Sequence, residues 1–526
     1  MSSDSLINIT PKQEPLNSFV DRNIVASVDL GSNSFRMVIA QILETRSGLQ
    51  LKPIDTLREP VKLAAGLDSD KKLDKESFVR GLDAIRRFGE RLRSFPPSQV
   101  RVVATNTLRV ARNAAQFIEQ AQLALGFPIE VIAGREEARL IYLGAAHDAP
   151  ACNDLRLVID IGGGSTEFII GRDYDAKMME SLYIGCVSFS KEFFPDGAID
   201  AHFFKQAELA ARQEIQVISK EFRKKGWKQV IGSSGTARAI AELIAANGLD
   251  GPAHDLAETD LGGSITRDSL IQLKTLLLKS DYIQDCKLSG LKSDRRFVLP
   301  GGLAIMIAAF DELKIESMEV VEAALRMGVI YDFLGRTNHQ DMRFVTVDQF
   351  MQRYGVDLEQ ANRVEKLVIV FLQQFPISDG IDRKNNTALL GWAAKLHEIG
   401  LSISHNGYHK HSAYIVTYSD MPGFSKNDQD RLSVLLLGHT GKLGKLFLSR
   451  SFIDWRMLLC LRLAIILCRR RTQQEIPVIQ IKETKKGYKL TLANSWIALN
   501  PLTEFSLRKE SDQWTGIGKE LILDYV

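Results

Sequence analysis

Two segments of the chain repeat one plan. Residues 25–40, VASVDLGSNSFRMVIA, and residues 156–171, RLVIDIGGGSTEFIIG, align so that Asp29 falls on Asp160, Gly31 on Gly162, Ser34 on Ser165 and Ile39 on Ile170. Each copy is an apolar run of strand length, an acid at its end, a turn of small residues and a second apolar run. After each copy, strand-length runs alternate with helix-period stretches, the pattern of an α/β domain. The first block has strands at 24–30, 35–42, 101–105 and 128–133, with helices at 75–95, 111–125 and 135–148. The second has strands at 155–161, 166–171, 179–185, 228–232 and 317–322, with helices at 236–246, 303–313 and 323–334. Two similar halves that each open on a glycine-rich hairpin predict a pseudo-two-fold molecule with a ligand cleft between the halves.

The spans that follow are a tail over 1–22, α/β domains over 23–150 and 151–335, a helical domain over 336–474 and a small α+β domain over 475–526. The last contains a hairpin around Lys-Gly at 486–487. A chain of 526 residues needs several cores, so this division is expected. The net charge of +3 gives no global attraction to nucleic acid, so any anion is bound locally. Five cysteines without a Cys-x-x-Cys spacing indicate neither a zinc site nor a disulfide framework. The N-terminus lacks the apolar core of a signal peptide, and a cytoplasmic location is expected. The apolar run 457–468 is too short to span a bilayer and contains Arg462, so it reads as a buried helix. Arg469, Arg470 and Arg471 read as its solvated end, with peripheral contact to the inner membrane face as the alternative.

Glycine-rich turns let backbone N–H groups form a nest for anions, to which hydroxyls add donors. Ser32, Asn33 and Ser34 in one turn, and Gly162, Gly163, Gly164, Ser165 and Thr166 in the other, therefore suit phosphates facing each other across the cleft. Asp29 and Asp160 would repel phosphate unless a hard cation lay between, and Mg²⁺ takes one or two carboxylates plus water and phosphate oxygens. Gly235 and Thr236 in GSSGT, and the LPGG segment, open helices whose free N–H groups also suit phosphate. In GREEARLIYLG, Glu136 and Glu137 occupy a first helical turn. Glu137 shares a face with Ile141 and Gly144 and is a candidate general base, but periodicity alone does not choose between the two. Glu167 is a second carboxylate near the same turn, and Arg109 stands at a helix opening where it would neutralise a phosphoryl group.

These segments, VDLGSNSFRMVIA, ATNTLR, GREEARLIYLG, VIDIGGGSTEFIIG, IGSSGTARAI and LPGGLAIMIAAFDEL, in that order resemble the exopolyphosphatase/guanosine pentaphosphate phosphohydrolase family of the actin-like ATPase superfamily. The resemblance implies two actin-like (ribonuclease H-like) α/β domains. It selects Glu137 as catalytic base, ties Asp160 and Glu167 to catalysis and metal, adds Asp29 on the metal side, and makes Arg109 a phosphate contact. It implies Mg²⁺, hydrolysis of a terminal phosphate by water, and a homodimer. Residues 391–424 resemble a degenerate HD-type domain with Glu398 after His397, where metal-dependent HD enzymes have Asp. The favoured reading there is a non-catalytic scaffold, with His405, His409, Lys410 and His411 as a channel lining for a long polyanion. Arg36 stands where many relatives carry His. The expected activity is release of orthophosphate from inorganic polyphosphate. The alternatives are a guanosine pentaphosphate (pppGpp) 5′-phosphohydrolase and, further off, an actin-like ATP-binding chaperone.

Overall fold

The computed structural model describes residues 23–45, 48–149, 154–249, 264–321, 325–337, 341–376, 381–448, 453–472 and 476–526. The expected tail 1–22, Cys152 and the domain limits at 150/151 and 474/475 lie outside the described residues.

The first repeat forms β1 (Ile24–Leu30) and β2 (Phe35–Thr45), an antiparallel hairpin in which Asp29 pairs with Arg36. It is continued by β3 (Gly48–Glu59), then β4 (Val100–Ala104) and β5 (Ile129–Val131), in the order β3-β2-β1-β4-β5. The second repeat forms β6 (Arg156–Ile161) and β7 (Thr166–Arg172), with β8 (Asp175–Leu182), β9 (Gln229–Gly232), a two-residue β10 (Ile265–Thr266) and β11 (Ser317–Val320). Their order is β10-β11-β9-β6-β7-β8. Without the short β10, both sheets have the same order: two antiparallel neighbours on one side of the first strand and two parallel ones on the other. The duplication visible in sequence is thus a duplication of topology.

Sequence reading does not find β3. Its outer positions carry Lys52 and Arg58, and Pro53 sits on this edge strand where the pairing slips past Ile39 and Ala40. Strand β8 begins four residues before the expected 179, ahead of the helix Cys186–Phe193.

The division into halves differs from the sequence spans in one respect. Helix Gly134–Asp148, which follows β5, packs its apolar face (Leu140, Ile141, Ala145) on Val158 and Ile169 of the second sheet. Conversely, Ile330 of helix Leu325–Thr337, which follows β11 and runs past the expected limit at 335, packs on Val25, Val38 and Ala40 of the first sheet. The two helices cross at glycines. A Cβ on Gly328 would stand 1.8 Å from the Leu140 carbonyl oxygen and 3.0 Å from the Gly144 nitrogen. Each half therefore lends a helix to the other, and this crossing floors the cleft.

Helices Met342–Arg353, Leu358–Leu372, Ile381–Leu396, Tyr408–Tyr418, Lys426–Gly438 and Trp455–Leu467 form the third unit. It shares one core with β12 (Gln480–Thr484), β13 (Gly487–Leu492) and β14 (Glu520–Tyr525), a three-stranded sheet closed by helix Pro501–Thr515. Arg462 explains its place in an apolar helix: it donates to Glu510 at 2.7 Å and to the Gly438 carbonyl, and Trp514 Nε1 also donates to Glu510, at 2.8 Å. No helix among the described residues is long and apolar enough to cross a membrane. Arg471 is not a free surface charge; it pairs with Asp357 at 3.2 Å and with Glu398.

Candidate active site

The two repeat turns meet. A Cβ on Gly163 would lie 3.0 Å from Ser32 Cβ and 3.2 Å from the Asn33 nitrogen, so only glycine lets the loops touch. The first loop is fixed by Lys62 N–H and Ala64 N–H donating to the Asn33 and Ser32 carbonyls at 2.8 and 3.0 Å. The second is closed by Gly162 N–H on the Ser165 carbonyl at 2.9 Å. Ser32, Asn33, Ser34, Gly162, Gly163 and Ser165 line the cleft between the halves, and Gly235 and Thr236 border it from the helix Gly235–Ala246. Thr236 Oγ1 donates to the Ile161 carbonyl at 3.0 Å, holding that helix start against the end of β6.

Four carboxylates converge below the loops. Asp29, Glu137 and Asp160 line the cleft. Asp29 Oδ1 is sealed from solvent without a hydrogen-bond partner, and burial pushes its acid up to about 7 against the pull of Arg36. Asp160 is raised by burial, opposed by Ser233 Oγ, which donates to its Oδ2 at 2.8 Å. Glu137 is likewise raised by burial, although Arg109 Nη1 donates to its Oε2 at 3.1 Å. Glu167 is held well above the usual range, by burial and then by the charges of Glu137 and Asp160; Ser181 Oγ donates to its Oε1 at 2.8 Å.

Four expected site residues stand elsewhere than on the cleft wall. Thr166 donates its hydroxyl to the Ile184 carbonyl at 2.6 Å, so that donor is spent inside the sheet. Arg109 lies behind Glu137, its Nη1 shared with the Ile132 carbonyl at 2.8 Å, and orients the carboxylate from there. Glu167 is fully buried beneath the second loop. Gly164 backs the loop against Asn106, whose Oδ1 a Cβ there would approach to 2.6 Å.

Asn106, in the ATNTLR segment, is buried between the loops with an unpartnered Nδ2 and was not singled out by sequence; a polar residue opening a short helix after a strand was its only signal. Sequence reading singles out Arg36 as an extra cation near the first loop but misses the other cations beside the cleft. A recess that shares Arg36, Gly235, Arg295 and Arg326 with the cleft wall is lined further by Arg58, Arg238 and Lys292. Arg36 is pushed down to about 10, by burial and then by Arg326, and Arg295 is lowered by burial and then by Arg58. Arginines that depress one another mark positive charge in excess of what the surrounding acids balance, and an anion would relieve it.

Among the described residues no three of His, Cys, Asp and Glu converge closely enough to hold a metal by themselves. In the helical unit His397 and His439 are buried ring edge to ring face, 5.6 Å apart. Each Nδ1 lies 2.6 Å from a backbone carbonyl of its own helix end, Ala394 and Leu436.

Two α/β halves of common topology, sharing a cleft with a phosphate-sized turn on each side and buried carboxylates below, define an actin-like phosphoryl-handling protein. The Ppx/GppA phosphatase family matches residues 38–337, and the family's domain III matches residues 342–511. The chain belongs to the Ppx/GppA phosphatase family. It is 39% identical to the guanosine-5′-triphosphate,3′-diphosphate pyrophosphatase of Pseudoalteromonas translucida (strain TAC 125), over 96% of this chain and 99% of that one. Among solved structures, the exopolyphosphatase from Cytophaga hutchinsonii is similar with a TM-score of 0.52 and 22% identity, over 59% of this chain and 97% of its own. The Aquifex aeolicus Ppx/GppA family member has a TM-score of 0.49 and 24% identity, over 60% of this chain and 99% of its own.

Proposed function

We propose that this chain hydrolyses the terminal 5′-phosphate of guanosine 5′-triphosphate 3′-diphosphate. The observation that carries the reading is the pairing of two adjoining anion sites: the facing loops, and the arginine recess that opens off the same cleft. A nucleotide with phosphates on both its 5′ and 3′ oxygens has two anionic ends to place. The Pseudoalteromonas relative, named for that nucleotide, supports this choice over the inorganic polyphosphate favoured by sequence reading.

In this reading the terminal phosphate lies between the loops, where N–H groups of residues 31–34 and 163–165 and the Ser32, Ser34 and Ser165 hydroxyls donate to its oxygens. Glu137, raised by burial and aimed by Arg109, takes a proton from water. The water oxygen bonds to phosphorus as the bridging P–O bond breaks. The shortened nucleotide leaves with the bridging oxygen, and orthophosphate is released. Such transfer depends on positioning and charge neutralisation more than on covalent chemistry. Mg²⁺ fits the orphaned Asp29 Oδ1 and the Asp160 carboxylate, with Glu167 beneath, because this ion needs only one or two carboxylates beside phosphate and water. When bound, it would neutralise phosphate charge.

Inorganic polyphosphate is the second reading, favoured by the continuity of the cations from cleft to recess, which would also serve successive phosphates of a linear chain. Phosphate release from the two substrates, measured side by side with wild type and Arg295→Ala, tests the choice. The proposal expects a higher kcat/KM for the nucleotide and a larger loss on it in the variant. A preference for polyphosphate would reverse the assignment.

A further inference from the structure

Of the two adjacent glutamates in the helix Gly134–Asp148, only Glu137 faces the cleft. Glu136 is as deeply buried, but about 100° round the helix. Its Oε1 and Oε2 accept the Nη2 and Nε of Arg139, both at 2.8 Å, and Oε2 also accepts the Gly423 N–H of the helical unit at 2.8 Å. Arg139 pairs onward with Asp332, and Asp332 receives Arg101 Nη1 of β4 at 2.6 Å. The Pro422 carbonyl, next to Gly423, accepts Thr346 Oγ1 at 2.7 Å, so the loop that offers the amide is itself held. Around it, Arg135 bridges Glu180 of the second half at 2.6 Å and Asp420 of the helical unit at 3.4 Å.

We propose that Glu136 is a positioning residue through which the helical unit sets the placement of Glu137. The helix starts at Ala133, which supplies no side-chain cap. Its first turn therefore depends on outside contacts: Arg109 on the cleft side through Glu137, and Gly423 on the other side through Glu136, which Arg139 of the same helix steadies from one turn on. A shift of this turn moves the Glu137 carboxylate against loops that are anchored independently to residues 62–64 and to β6 and β7. Misplacing a reacting group by about 1 Å costs up to about a hundredfold in rate, so a modest shift is readable in kcat. The inference rests on Glu137 being the base.

The test uses the full chain, in steady-state phosphate release from the nucleotide. Glu136→Gln keeps the shape but removes the charge and leaves one acceptor oxygen for three N–H donors, Arg139 Nε and Nη2 and the Gly423 amide. Gly423→Ala acts from the other side: Gly423 has φ +87°, and its Cβ would meet Arg343 Cγ and N at 3.0 Å, which displaces the amide and leaves Glu136 intact. Each variant should lower kcat about tenfold with KM within about twofold, and the double variant should fall no further than the poorer single one, since both cut one link. Unchanged kcat in both, with only a lower melting temperature, would make Glu136 a purely structural clamp and overturn the proposal. A rise in KM with kcat unchanged would overturn it too, as would additive losses in the double variant. Glu137→Gln is assayed alongside; full activity in that variant means the base is misassigned, which is distinct from failure of the Glu136–Gly423 coupling.

Discussion

Replacing Asp29 with Asn isolates the cost of a cleft-wall carboxylate whose Oδ1 is sealed from solvent. In metal-free buffer the folded chain holds this acid at about 7, against 3.8 when it is freely solvated. Between those values the folded state keeps a proton that the unfolded chain has released, so stability falls as pH rises from about 4 to 7 and is level above. At about 1.4 kcal/mol for each tenfold in proton affinity, keeping Asp29 in this site costs about 4.5 kcal/mol at pH 8, where it is charged, and about 1.7 kcal/mol at pH 5, where it holds its proton. Asn has the same shape and no charge, so this cost vanishes at both pH values, while any misfit of its amide adds a constant offset. The variant should therefore gain about 3 kcal/mol more over wild type at pH 8 than at pH 5, or about 6–12 °C in the melting of a unit of 150–250 residues. Thermal melts followed by circular dichroism in chelator measure this. Millimolar Mg²⁺ at pH 8 should then raise the wild-type melting temperature and leave Asp29→Asn nearly unmoved, because a ligand stabilises only the form that binds it. A variant shifted equally at both pH values would refute the buried-charge argument, and equal Mg²⁺ gains would remove Asp29 from the metal.

Glu137→Gln should lower kcat by about 10²–10⁴ and abolish the acid limb of its pH profile; in wild type that limb lies above the ordinary glutamate range, since the base must be ionised and burial raises it. Arg295→Ala should raise KM for the nucleotide about tenfold, equivalent to ~1.4 kcal/mol of lost charge-assisted hydrogen bonding, read from initial rates over a substrate series. Gly185→Ala places a Cβ 2.4 Å from the Gly163 carbonyl carbon and oxygen; it should displace the second loop and weaken protection by orthophosphate in a melt, and unaltered activity would show that the loop can yield. Glu510→Ala leaves Arg462 buried without its carboxylate and should cost about 3–5 kcal/mol in urea unfolding of the helical unit.

What could be read from the sequence was whatever lies within one hairpin or one helix. The acid, turn and second strand of each repeat are contiguous, so Asp29, Asp160 and both loops were legible, and the matched copies implied the cleft. Partners that meet only across the fold were not: Ser233 on Asp160, and Arg295 and Arg326 beside Arg36. The choice between Glu136 and Glu137 shows why. Neighbours on a helix point about 100° apart, so one side chain facing a cleft obliges the other to face elsewhere, but which one turns inward depends on the surface that the helix packs against. That surface belongs to the second sheet rather than to the sheet the helix has just left. The same exchange gave Asp332, on the reciprocal helix, its place between Arg101 and Arg139. A helix lent across a domain boundary thus places the proposed base at the cleft and its neighbour at the seam with the helical unit, and both roles follow from one crossing of two glycines that no local pattern announces.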